Sequence, residues 1–259
     1  MTRSRFTDHF AAVADQYAAH RPTYPAELFA WLAAQAPARD LAWDCATGSG
    51  QAAVGLAGYF DGVFATDASE AQIVAATPCP KVTYRVAPAD ASGLPECAVD
   101  LVTVAQALHW FELEPFYAEV RRVLRPSGLL AVWTYGVFRV EGAGTAQIQN
   151  LLDRFYHETV GPYWPTERRH VENGYAELPF PFDELAAPDL AMAVDWTLAD
   201  LAGYLRSWSA TSRYRETNGA DPVLPLTAAL APLWGTGCQR VVWPLSIRVG
   251  RPKREPAGR

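Results

Sequence analysis

An open α/β sheet, mostly parallel, seven-stranded and covered by helices on both faces, is the fold this sequence predicts. Short apolar runs alternate with stretches of helical periodicity from Leu41 to Thr134. That is the rhythm of parallel strands joined by crossover helices. The first run ends in the small-residue turn Ala46-Thr47-Gly48-Ser49-Gly50, which opens a helix. Three of the strand ends or the loops directly after them carry an aspartate: Asp44, Asp67 and Asp90.

Taken in order, Phe6, Phe10, Val13, Ala14 and Tyr17 share one helical face. Arg21-Pro22-Thr23-Tyr24-Pro25 ends that helix, and Pro25 suits the first turn of a second one carrying Leu28, Phe29 and Leu32. Leu41 to Cys45 is the first strand, followed by a helix burying Val54, Leu56 and Ala57. Gly62 to Asp67 is the second strand, and Ser69 with Gln72 has the spacing of a capping box. Val82 to Val86 and Asp100 to Val104 continue the sheet. Phe116, Val120, Val123 and Leu124 mark a helix that Arg125-Pro126-Ser127-Gly128 terminates before the strand Leu129 to Thr134. Beyond Gly136 the segment 137–187 is rich in proline, aromatic and polar residues, with a helix from Ile148 to Thr159. Leu190 to Trp196 reads as a strand, Leu198 to Arg215 as a helix, and Val241 to Val249 as a last strand.

Composition narrows the function classes. The chain has 259 residues, half of them hydrophobic, so one large core is within reach. Twenty-two basic against 28 acidic residues give a net charge of −6, the wrong sign for binding nucleic acid through its phosphates. Among the cations only Lys81 and Lys253 are lysines. No stretch of about 18 apolar residues suggests a membrane span. The four cysteines have neither disulfide-framework nor metal-ligand spacing, so a reducing cytoplasm and no metal are expected.

The chemistry gathers at the strand ends. Gly48-x-Gly50-x-x-Ala53 satisfies a loose dinucleotide pattern, with Asp67 placed to hold a ribose diol. Asp44, immediately before the turn, would repel a pyrophosphate and suits a ligand bearing an ammonium group. Asp90, beside Ala89, can accept from an adenine amino group. Three acids at the carboxyl ends of successive strands therefore point to an adenosyl ligand without a pyrophosphate.

Asp44-Cys45-Ala46-Thr47-Gly48-Ser49-Gly50 resembles the acid-x-Gly-x-Gly-x-Gly motif of class I S-adenosylmethionine-dependent methyltransferases. Phe10-x-x-x-Ala14-x-x-Tyr17-x-x-x-Arg21-Pro22-x-Tyr24-Pro25 and Gln106-Ala107-Leu108-His109-Trp110-Phe111 are similar to the type 11 branch that includes trans-aconitate methyltransferases. Val123 to Gly128, Tyr204 to Ser209 and Trp243-Pro244-Leu245 share that likeness. Ala46 replaces the family's first glycine. Its methyl fits easily at negative φ and crowds the methionine end of the cofactor at positive φ.

The resemblance implies a Rossmann-like fold with a C-terminal helical lid, and S-adenosylmethionine as cofactor. It implies methyl transfer to a small-molecule acceptor, a carboxylate oxygen among the candidates. Tyr17 and Arg21 would meet the cofactor's carboxylate, and Asp44, Ala46, Gly48 and Gly50 its methionine end. Asp67 would hold the ribose, Ala68 and Ala89 would line the adenine, and Asp90 would meet its amino group. Ala105, Gln106 and Trp110 would wall the site. His109 is the candidate base, against a packing role. For the acceptor, Trp164, Arg168, Arg169, Tyr204, Trp208, Arg213 and Tyr214 mix aromatic faces with guanidinium groups, and Trp133 and Tyr135 end the fifth strand. Tyr135, Trp208 and Arg213 are singled out. The chain reads as one domain over 1–259, monomeric or a homodimer, with a cofactor-binding core over 1–136. Covering segments occupy 137–187 and 198–239, and closing strands 188–197 and 240–250. On this reading Asp67→Ala costs cofactor affinity and little stability. A nicotinamide-dependent oxidoreductase is the alternative on the glycine pattern, opposed by Asp44 and by the lack of a Tyr-x-x-x-Lys couple. A non-catalytic adenosyl-binding module is the third reading, on Ala46.

Overall fold

The computed structural model describes residues 22–142 and 144–253. The helix expected over Phe6 to Tyr17, and with it Tyr17 and Arg21, lies outside the described residues. Within them, helix α1 (Ala26–Gln35) follows Pro25, and β1 (Leu41–Cys45) leads through the glycine turn into α2 (Gln51–Leu56). Then come β2 (Gly62–Asp67), α3 (Glu70–Val74), β3 (Val82–Val86), β4 (Val99–Ala105), α4 (Leu113–Val123) and β5 (Leu124–Tyr135). A 3-10 turn, Leu108–Trp110, separates β4 from α4.

Strands β3, β2, β1, β4 and β5 lie side by side in that order and all run parallel. Their side chains alternate between two apolar layers, as a period of two requires. Ala42, Ala65, Leu101, Leu129 and Trp133 face α1 and α2, packing with Leu28, Phe29 and Leu32. Trp43, Val102, Val104, Leu130 and Val132 face α4, packing with Phe116, Val120 and Val123. Both faces are buried, which is why these strands read as unbroken apolar runs. The Ser69–Gln72 capping pair does not form as expected, because the Ser69 amide donates instead to Asp67 Oδ1 at 2.9 Å.

The C-terminal part adds β6 (Arg139–Glu141), α5 (Ala146–Arg154), α6 (Arg168–Glu172), β7 (Phe182–Leu185), β8 (Ala191–Trp196), α7 (Leu198–Arg206), α8 (Ser209–Asn218), α9 (Val223–Trp234) and β9 (Gln239–Pro252). β9 runs antiparallel to four strands: its end pairs with β5 and β7, its beginning with β6 and β8. Among the described residues the sheet thus has nine strands where the sequence spacing predicts seven. The two additional ones, β6 and β7, are three and four residues long, too short to show a period.

Two helices differ from expectation. The one read over Ile148 to Thr159 is α-helical only to Arg154 and then widens into a π turn, Phe155–Thr159. The one read from Leu198 to Arg215 breaks at Trp208, whose backbone is extended (φ −69°, ψ 134°). The Ser207 hydroxyl donates to the Tyr204 carbonyl at 2.6 Å, closing α7. The break turns the Trp208 indole into a cluster with Phe155, Tyr156, Trp164 and Tyr204, at ring separations of 5.4–6.2 Å. Packing among the rings outweighs helical continuity here. All four cysteines are free thiols, and no described helix is long and apolar enough to cross a membrane.

Candidate active site

The parallel strands end together, and the loops leaving β1, β2 and β4 form the site. Asp44 lies fully buried beside Thr103 of β4. Its Oδ1 accepts from the Thr103 hydroxyl at 2.7 Å and its Oδ2 from the Thr47 hydroxyl at 2.6 Å. Burial, with some help from the charge of Asp67, pushes its carboxyl up to about 6. Asp67, at the end of β2, reaches across to the turn: Oδ2 accepts from the Gly48 amide and Oδ1 from the Ser69 amide, each at 2.9 Å. The two acids are thereby tied to one loop.

That loop holds an unusual backbone. Ala46, Gly48 and Gly50 all have positive φ, 53°, 56° and 88°. Ala46 therefore takes the left-handed conformation, which an L residue adopts at a cost of about 1–2 kcal/mol. Gly50 is obligatory for a second reason: a Cβ there would lie 2.2 Å from the Tyr84 hydroxyl. Ala46→Gly is expected to raise stability by up to about 1 kcal/mol, less the entropy a glycine adds to the unfolded chain. It should also tighten S-adenosylhomocysteine binding; melting temperature and calorimetric titration of the variant check both.

The other side of the cleft comes from β4 and β5. Gln106 follows β4 at φ 58°, a second left-handed non-glycine residue at a strand end. Its amide donates to the Tyr135 carbonyl at 2.9 Å and accepts from the Thr134 hydroxyl, so the ends of β4 and β5 are laced together. His109 sits in the 3-10 turn with its ring 4.6 Å from that of Trp110. Its Nδ1 is hydrogen-bonded to the Tyr175 hydroxyl at 2.9 Å. Burial first, then the positive charge of Arg168, pushes the imidazole down to about 3. Tyr175 is itself fully buried, at φ 63°, and its carbonyl accepts from Arg248 of β9 at 3.0 Å.

The structure brings Asp44, Ala46, Gly48, Gly50 and Asp67 into one hydrogen-bonded loop, with Ala105 and Gln106 on the adjoining strand. Ala68, Asp90 and Trp110 are exposed, and Ala89 is half-buried in the loop after β3. The three acceptor candidates are dispersed. Tyr135 is buried against Tyr24, Trp208 sits in the aromatic cluster, and Arg213 donates to the Tyr163 carbonyl at 3.2 Å. Spacing gave no sign of Thr47, Thr103 or Tyr175. The hydroxyls read as ordinary turn and strand residues, and Tyr175 reaches His109 only through the tertiary fold.

These residues fit a cationic adenosyl ligand. Asp44 is a desolvated acid that pairs with no basic side chain among the described residues, so an ammonium group beside it would restore its charged form. Asp67 accepts the Gly48 and Ser69 amides and so stands beside the turn at the end of β2, where a carboxylate can meet a ribose. Beside Gly48, a Cβ would meet within 4 Å only Gln72 Oε1, at 3.7 Å, which leaves the room a ligand needs.

A family model described as a methyltransferase domain matches residues 43–132, from β1 into β5. A Dictyostelium discoideum protein described as a methyltransferase is 36% identical over 226 residues, covering 86% of this chain and 85% of its own. A solved structure described as a type II methyltransferase, from Anaeromyxobacter dehalogenans, is 48% identical. It superposes with a TM-score of 0.85 over 91% of this chain and 100% of that one. A Saccharomyces cerevisiae protein described as an S-adenosylmethionine-dependent methyltransferase is 31% identical over 124 residues, 44% of this chain and 43% of its own.

Proposed function

The chain belongs to the class I S-adenosylmethionine-dependent methyltransferases, and from that premise we propose that it methylates a carboxylate oxygen of a small-molecule acceptor. The observation that carries this reading is His109. A ring held to Tyr175, buried and brought down to about 3, stays neutral at working pH and draws protons weakly. Asp44 and Asp67 are occupied by hydroxyls and amides. An acceptor already ionised at neutral pH requires no base from any of them.

When bound, the cofactor supplies an electrophilic methyl on a sulfonium. Its transfer to a carboxylate oxygen would give a neutral ester and a thioether with no proton released. What the chain contributes is orientation and dryness. In this reading Asp44 and the backbone at Ala46 and Gly48 hold the methionine end, and Asp67 the ribose. Gln106 and Trp110 wall the cleft, and His109 positions by packing. The core over 1–136 binds cofactor, while 137–187 and 198–239 cover the acceptor. The glycine pattern alone would also admit a nicotinamide dinucleotide, but the desolvated Asp44 carboxylate disfavours a pyrophosphate beside it.

The test is a panel of carboxylates, phenols and amines with labelled cofactor at varied pH. Base-labile methyl esters are expected. At saturating cofactor their rate should be flat from about pH 6 to 8, where a carboxylate is fully ionised, and should keep that shape in His109→Gln. Turnover of phenols or amines alone, with a rate rising through a pKa that His109→Gln removes, overturns the reading.

A further inference from the structure

Whether His109 can take up a proton depends on which of its ring nitrogens carries hydrogen. Its Nδ1 lies 2.9 Å from the Tyr175 hydroxyl. Its Nε2 has no hydrogen-bond partner among the described residues and is not buried, so that nitrogen is the one a ligand can meet. If Nδ1 accepts, Nε2 carries the hydrogen and the ring is a neutral donor. If Nδ1 donates, Nε2 is a free base.

The surroundings of Tyr175 decide between the two. The side chain is fully buried, and His109 Nδ1 is the acceptor its hydroxyl reaches. A phenol O–H left in the core without an acceptor is costly. Burial pushes the phenol well above its ordinary range, against the Thr134 hydroxyl and the Leu108 and His109 amides beside its oxygen. An amide can only donate, so the lone pairs of that oxygen face the turn and its hydrogen faces Nδ1.

The last strand holds the tyrosine there. Gly174 and Tyr175 both have left-handed backbone, at φ 64° and 63°, and a Cβ on Gly174 would stand 2.6 Å from Ser246 Oγ, so the turn is pressed onto β9. Arg248 of β9 donates through Nη1 to the Tyr175 and Leu178 carbonyls at 3.0 and 2.8 Å. Glu184 and the Phe180 ring fix its guanidinium in turn. A tyrosine stays left-handed only where its surroundings over-determine it. Here they aim one hydroxyl at one nitrogen.

We propose that Tyr175 is a positioning residue that locks His109 as the Nε2–H tautomer, with Arg248 holding Tyr175 in place. So fixed, His109 does more than pack: it offers a hydrogen to an acceptor oxygen and takes none from it. Hydroxyl and ammonium acceptors, which must shed a proton, find no base in this ring, whereas an acceptor that arrives ionised needs none. This consequence rests on the methyl-transfer reading; the tautomer rests on the hydrogen bonding alone.

Nitrogen-15 NMR of the whole chain with labelled histidine reads both ring nitrogens, and His109→Gln identifies the signal. The wild type should show hydrogen on Nε2 and a bonded, unprotonated Nδ1. That pattern should hold from about pH 5.5 to 8, where Arg168 and His170 of α6 also oppose a charged ring. Tyr175→Phe keeps a ring in the apolar cluster and should shift the tautomer ratio about fivefold toward Nδ1–H, the worth of one hydrogen bond. Arg248→Gln should shift it part of the way and Arg248→Lys less, which keeps the test intact should Tyr175→Phe fail to fold. Hydrogen on Nδ1 in the wild type overturns the proposal, as does an unaltered ring in both Tyr175→Phe and Arg248→Gln. Methyl esters formed by a chain with an unlocked ring refute the lock and leave carboxylate methylation intact. A locked ring with methylation confined to phenols or amines supports the tautomer and refutes carboxylate methylation.

Discussion

Asp67→Ala should lose cofactor affinity and stability together. The sequence alone suggests a side chain serving only a ligand, with little effect on the fold. The structure shows otherwise: its carboxylate accepts the amides of both Gly48 and Ser69, in a site only 9% exposed. Removing it leaves two donors at the sheet edge without their partner, at about 1–3 kcal/mol for each that water does not reach. The lost ribose contacts should weaken S-adenosylhomocysteine by about another 1–3 kcal/mol, roughly five- to 150-fold. Asp67→Asn separates the two effects, since its amide oxygen can keep one backbone contact while the charge is gone. Chemical denaturation and calorimetric titration of both variants measure them. An Asp67→Ala protein with wild-type affinity would place the ribose elsewhere.

The second large effect is a pH dependence carried by Asp44. Its carboxyl is raised from 3.8 to about 6 in the folded chain, chiefly by burial. Below pH 3.8 the folded and unfolded states both hold the proton. Between about 4 and 6 the folded state keeps it while the unfolded state releases it, so stability falls as pH rises through that window. The full displacement corresponds to about 3 kcal/mol. Other carboxylates act oppositely: Arg122 holds Glu119 down and Arg248 holds Glu184 down, so each favours the folded state as pH rises. The Asp44 contribution is therefore the difference between wild type and Asp44→Asn, whose amide can still bond the Thr47 and Thr103 hydroxyls. A cationic cofactor beside Asp44 should drive the proton off. Binding near pH 5.5 should release protons, seen as a buffer-dependent binding enthalpy, and Asp44→Asn should abolish the release. Buffer-independent enthalpy in the wild type would mean that no positive charge arrives at Asp44.

Much of this site is legible along the chain because its parts are local. Asp44, Ala46, Gly48 and Gly50 follow one another on a single strand and turn, and Asp67 ends the next strand, so a parallel sheet necessarily brings them together. The positive φ of Ala46 is not legible. Alanine carries no mark of the left-handed region, which is imposed here by the amide of Thr47 bonding to the Thr66 carbonyl at 2.9 Å. The pairing of His109 with Tyr175 is hidden for another reason. Sixty-six residues separate them, and the approach depends on a tyrosine held at φ 63° by an arginine from the last strand. The break at Trp208 was masked by good helical spacing on either side. Only the packing of a half-buried indole among five other rings decides against continuity there.

Strand β9 carries a consequence for the order of folding. Every hydrogen-bonded partner it serves, β5, β6, β7 and β8, precedes it in the chain. Until residues 239–252 emerge from the ribosome, β5 presents an unpaired, apolar edge and three short strands have nothing to pair with. The five parallel strands can assemble early, but β6, β7 and β8 must wait for a long-range closure, the slow kind. During that interval the nascent chain exposes a sheet edge open to pairing with a second copy, so a chaperone that shields β5 should raise the yield of native protein more than one that acts on the amino-terminal half.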